Sequence, residues 1–219
     1  MNILVIDPAN SLGYCVFKYD VANSSMEITH WGFIDIEQSD TYAGDQYLNL
    51  LKHIEDLIKL HSIGKVAIED YFFSRRSPQG ANLNCSYRAM VHMKCRQLGL
   101  HYEILNISLW KKYINGRSIP TVEQKAKWGK EPAKKLMTQE SLYKKWNIRL
   151  PNHSISQNTG KPIKFRYDIV DAVAMAIFYA SIYLHVNKIQ YSLPVNDIEW
   201  KKIPTGTYDY EGELNVKEK

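Results

Sequence analysis

The chain opens with closely spaced apolar runs. NILVID, residues 2–7, is a short apolar and partly β-branched run ending on a carboxylate, the pattern of a buried strand. GYCVFKYD and MEITHWGFIDI follow as strands joined through VANSS, which predicts an antiparallel meander. From residue 41 the period changes: Leu50, Leu51, Ile54, Leu57 and Ile58 fall at helical spacing, and Gly64 stops the helix. KVAIED reads as a fourth strand and residues 81–98 as a helix that Gly99 ends. HYEILNI reads as a fifth strand. A helical stretch near Pro132 to Trp146 follows, then a polar loop, PNHSISQNTGKPIKF. A last helix starts at Tyr167 and extends toward Val186.

This order predicts an α/β fold: a five-stranded mixed sheet, its first three strands antiparallel, flanked by helices. Right-handed crossovers put strands one, four and five parallel. Residues 1–187 read as one domain with a basic insertion at about 111–166, and residues 188–219 as a C-terminal tail or arm.

Charge sharpens this picture. Residues 107–166 hold 14 Lys/Arg against 3 Asp/Glu, while the rest of the chain holds 14 against 20. A basic block on a mildly acidic body points to an anionic partner, most simply nucleic acid. A solvated charged face is the plainer reading. No apolar run is long enough to span a bilayer, so no membrane role is expected. The N-terminus carries no basic leader, and Cys15, Cys85 and Cys95 show no CxxC spacing. A reducing, cytoplasmic setting is expected, which would be the host cytoplasm for a viral or phage protein.

Carboxylates recur at the ends of elements. Asp7 ends the first strand and Glu69 the fourth; Asp168 and Asp171 open the last helix three residues apart, on one helical face. Ligands of such sheets gather at the carboxyl ends of the strands. Four acids meeting there would repel unless a cation intervened, and oxygen-only donors suit Mg²⁺ or Mn²⁺. Helix capping explains Asp168 and Asp171 taken alone. Ala172, Ala174 and Ala176 would let that helix sit close to the sheet, although alanine is also simply a good helix former.

Three motifs in this order resemble the RuvC family of Holliday-junction resolvases, within the RNase H-like nucleases. They are VIDPANSLGYCVF, with Ala9 in place of the family's glycine, then VAIEDYFF, and YDIVDAVAMAI. The resemblance spans roughly residues 1–180. It implies an RNase H-like sheet and a crossover junction endodeoxyribonuclease in which Asp7, Glu69, Asp168 and Asp171 are catalytic metal ligands. Two Mg²⁺ ions per site are implied, with Mn²⁺ able to substitute. One would activate water and the other stabilise the leaving 3′ oxygen, giving 5′-phosphate and 3′-hydroxyl ends. The implied partners are branched DNA, especially four-way junctions, and a second copy of the chain in a homodimer built on the helix around residues 86–98.

The resemblance also implies DNA-binding residues. An aromatic just after Glu69 would enter the junction, with Phe72 the closest match and Phe73 beside it; a strand continuing into the core is the alternative. Arg75 and Arg76 would contact phosphate. Lys134 and Lys135 match the family's lysine-bearing helix, in a region that is expanded here. Tyr143, Trp128 and Trp146 lie among the lysines, either as stacking platforms or as the buried face of short helices. The expansions also leave open a broader flap or fork nuclease, or a non-catalytic nucleic-acid-binding module on the same scaffold.

Overall fold

β1 (Asn2–Asp7) runs through the interior of a mixed sheet, and its apolar sequence reflects burial on both faces. The computed structural model describes residues 1–8, 11–35, 44–70, 78–148, 150, 153–155, 162–165, 167–191, 206–208 and 214–216. β2 (Ser11–Asp20) and β3 (Ser25–Asp35) continue antiparallel from β1, as the meander pattern predicts. At their turn, Asp20 Oδ1 accepts the amides of Ala22 (3.0 Å) and Asn23 (3.4 Å). α1 (Asp45–Leu60) leads to β4 (Ile63–Glu69), which pairs parallel with β1. α2 (Pro78–Gln97) leads to β5 (His101–Leu105), parallel with β4. Gly99, at φ +66°, ends α2 with Leu100 N–H donating to the Cys95 carbonyl (2.9 Å).

The basic block is helical over more of its length than its periodicity suggests. α3 (Ile107–Asn115) is capped by Asn106, whose side chain accepts the amides of Ser108 and Leu109. α4 (Val122–Trp128) starts with a reciprocal Thr121–Gln124 capping box. α5 (Lys130–Trp146) follows. The expected polar loop contains a small antiparallel hairpin, β6 (His153–Ile155) and β7 (Pro162–Phe165). α6 (Tyr167–Tyr183) comes next, then β8 (Lys188–Tyr191). A second hairpin, β9 (Gly206–Tyr208) with β10 (Leu214–Val216), lies near the C-terminus.

The main sheet has the order β5-β4-β1-β2-β3-β8. It therefore has six strands where the sequence predicts five. β8, read from sequence as the start of the tail, pairs parallel with the first residues of β3. KIQY is only four residues long and alternates exposed with half-buried positions, so it carries little apolar signal.

Helices cover the sheet on both faces, and each strand's side chains alternate between them. Leu4, Ile6, Val66 and Ile68 pack with α1 and α2. Ile3, Val5, Cys15, Phe17 and Ala67 pack with α3, α5 and α6. α6 is the most deeply seated helix, with every residue from Ile169 to Ala180 buried.

Candidate functional site

The alternation that divides the core also fixes the direction of the strand-end acids. Ile3 and Val5 face α6, and Asp7 follows them in phase; Ala67 faces α6, and Glu69 follows it. β1 and β4 are parallel neighbours with Ile6 opposite Ile68, so Asp7 and Glu69 leave the sheet at one edge. Asp7 is 6% exposed.

Gly13 brings α6 to that edge. It lies opposite Asp7 in the β1–β2 register, and a Cβ at position 13 would sit 2.1 Å from the Asp168 carbonyl oxygen. Only glycine lets the first turn of α6 press onto β2 this closely. The turn carries Asp168, half-buried, and Asp171, 2% exposed. The small residues Ala172, Ala174 and Ala176 behind them are all fully buried.

The acids share one face and one edge. Among the described residues, however, no three His, Cys, Asp or Glu side chains are grouped closely enough to hold a metal ion. Glu69 also has a neutral partner, since Trp110 Nε1 donates to its Oε1 at 2.8 Å. Trp110 is fully buried on α3, and Lys111 Nζ lies 4.9 Å from its ring centroid. Just beyond Glu69, the Asp70 amide donates to the Leu105 carbonyl (2.8 Å) and its carboxylate pairs with Arg88 of α2. As ligands, Asp7, Glu69, Asp168 and Asp171 would offer only oxygen, which suits hard divalent cations better than zinc.

Other expected residues fall elsewhere. Phe72, Phe73, Arg75 and Arg76 lie outside the described residues. Lys134 and Lys135 are both on α5; Lys134 is exposed. Trp146 packs against the α6-side core with Lys145 Nζ 5.6 Å from its ring centroid, so it serves packing. Lys145 itself donates to the Tyr113 and Ile114 carbonyls (3.2 and 2.6 Å) at the end of α3. Lys144 pairs with Glu140 at 2.9 Å. On α2, Val91 is buried and Met93 is 51% exposed.

Sequence reasoning missed Gly13 as a packing requirement and Trp110 as the Glu69 partner. Gly13 stands within a quoted motif, but its need for glycine arises from a helix far along the chain. Nothing in the local pattern marks Trp110.

A scan against models of protein families finds no match. Curated relatives do match. RuvC, the crossover junction endodeoxyribonuclease of Sulfurovum sp. (strain NBC37-1), is 33% identical over 128 residues, 58% of this chain and 77% of that relative. RuvC of Helicobacter hepaticus is 30% identical over 181 residues, 82% of this chain and 83% of its own length. A solved structure of Thermus thermophilus RuvC shares the fold with a TM-score of 0.57 at 13% identity, covering 85% of this chain and 98% of that one. T. thermophilus RuvC in complex with Holliday junction substrate gives 0.54 at 17% identity, over 82% and 93%. Identity at this level over most of a relative's length, on a shared fold, makes the chain a member of the RuvC family.

Proposed function

We propose that the protein is a metal-dependent, structure-selective DNA endonuclease that resolves four-way junctions by paired phosphodiester hydrolysis. The observation that supports this reading is the placement of Asp7, Glu69 and the first turn of α6, which carries Asp168 and Asp171, at one sheet edge, through strand register and the glycine under α6. The named activity of the curated relatives supports it.

Asp7, Glu69, Asp168 and Asp171 would hold two Mg²⁺ ions, or Mn²⁺ in their place. Such ions supply water activation and stabilisation of the leaving 3′ oxygen. Asp7, interior to the sheet and buried, would be one of their ligands. Glu69 would act from the neighbouring strand, and Asp168 and Asp171 from the helix. Burial of Asp7 and Asp171 limits the water that competes for their oxygens. Lys134 and Lys135 would meet the DNA backbone from α5, and Arg75 and Arg76 would meet phosphate beside an aromatic wedge at Phe72 or Phe73. A homodimer through the exposed side of α2, where Met93 lies, would match the two-fold symmetry of a junction.

The test is cleavage of a labelled four-way junction in Mg²⁺, with a replication fork and a linear duplex as competitors. Symmetric nicks near the crossover are expected, with Asp171→Asn inactive yet still binding the junction. Equal cutting of linear duplex would sink the structure selectivity, and wild-type cutting by Asp171→Asn would sink the metal assignment. Preferential cutting of the fork would favour the broader branched-DNA reading.

A further inference from the structure

We infer that Trp110 is a positioning residue, whose indole N–H holds the Glu69 carboxylate in the orientation that a divalent cation requires. The inference rests on the metal reading of the carboxylate set and extends it by one residue. The contact is direct, Trp110 Nε1 to Glu69 Oε1 at 2.8 Å. An indole is a donor only, so this N–H must find an acceptor. Trp110 is fully buried, so water offers no ready substitute for Glu69. A carboxylate has about four acceptor sites. A hydrogen bond to Oε1 restrains rotation of the group, the role that outer-shell donors play toward ligating carboxylates.

The donor is itself held in place. β5 pairs with β4 so that Leu105 lies opposite Glu69, and α3 begins two residues later. Asn106 caps the start of that helix through two amides, and Lys145 reaches from α5 to the carbonyls at its end. Lys111 Nζ, 4.9 Å from the ring centroid, draws electron density from the indole and strengthens its N–H as a donor. A tryptophan that only filled the core would need none of this alignment with a strand-end acid.

The decisive experiment measures metal affinity directly, by electron paramagnetic resonance of free Mn²⁺, on the full chain, on Trp110→Phe and on Asp7→Asn. Phenylalanine keeps most of the buried ring and removes the N–H. Mn²⁺ binding should weaken about tenfold in Trp110→Phe, and half-maximal cleavage should require correspondingly more Mn²⁺ with the KM for junction unchanged. A second measurement reads the metal response in the wild-type protein itself. In the ¹⁵N-labelled wild-type protein, an indole N–H signal should shift on Mg²⁺ titration and saturate with metal binding; its absence from Trp110→Phe would assign it. Wild-type Mn²⁺ affinity in Trp110→Phe, or indole signals that all stay fixed at saturating Mg²⁺, would overturn the inference and leave the metal reading standing. A wild-type chain that binds no more Mn²⁺ than Asp7→Asn would overturn both.

Discussion

The two faces of the sheet are built alike and end differently. On the α1/α2 face, Leu4, Ile6, Val66 and Ile68 meet Leu50, Ile54, Tyr87 and Val91 in an apolar cluster. A polar tie joins its two helices, with Lys94 of α2 reaching Glu55 of α1 at 2.7 Å. The α6 face starts with the same kind of packing, Ile3 and Val5 against a helix, but one residue further along β1 it meets buried Asp7 and then the acids of α6. One face gives stability. The other carries two buried acids, Asp7 and Asp171, within its packing.

The contrast predicts opposite phenotypes. Asp7→Asn should lower single-turnover junction cleavage by at least about 10³-fold, the effect of losing several kcal/mol of metal-assisted stabilisation. Its thermal midpoint should stay level or rise, because a buried negative charge is gone. A large drop in the midpoint would show that Asp7 is structural. Gly13→Ala tests the joint between helix and sheet. The added methyl meets the backbone of Asp168, which cannot give way as a flexible side chain would. A loss of about 3 kcal/mol or more is expected in urea unfolding, together with weaker Mn²⁺ binding. Wild-type stability there would mean that α6 is not pressed onto β2. Ile54→Ala, on the opposite face, should cost about 2–5 kcal/mol and leave the cleavage rate per folded molecule unchanged.

These residues also show what a sequence can reveal. β1 and β4 were legible because strands buried on both faces must be apolar along their length. α1 was legible because only one of its sides is buried. The carboxylates were legible because they sit where such elements end. β8 was not, since a four-residue edge strand buries too little to need an apolar pattern. α4 is a seven-residue helix, and its start is marked by a Thr–Gln capping box in place of an apolar stripe. Trp110 and Glu69 are 41 residues apart, and their contact depends on β5 lying beside β4. Position 13 needs glycine only because α6 arrives there much later in the chain. Local pattern writes the elements and their ends, whereas close approaches between elements are written only in the assembled fold.

The α5 lysines give a gentler test of the functional face. Lys134→Ala should weaken junction binding about equally across DNA sequences and lower the slope of log K against log salt by roughly one. An unchanged slope would remove Lys134 from the DNA interface. Cleavage at saturating junction should stay near wild type, separating α5, which would bring DNA in, from α6, which would act on it.

The smallest effect belongs to the α1/α2 face and comes from pH. His30 and His61 stack with ring centroids 4.2 Å apart, and His30 Nδ1 and His61 Nε2 are buried with no hydrogen-bond partner among the described residues. Burial, with the neighbouring His30, pushes His61 down to about 4, and burial also lowers His30. The folded chain therefore resists protons that the unfolded chain accepts near pH 6.5. Stability is unaffected above that point and falls as pH drops from 6.5 toward 4. Carboxylates titrate in the lower part of that range, so the clean window is pH 6.5 to 5. There the thermal midpoint should decline in the wild type and decline less in His61→Gln. Equal slopes would show that the pair does not resist protonation. Mn²⁺ affinity compared at pH 6.5 should be the same in both proteins, because His61 belongs to the face that carries no acids of the site.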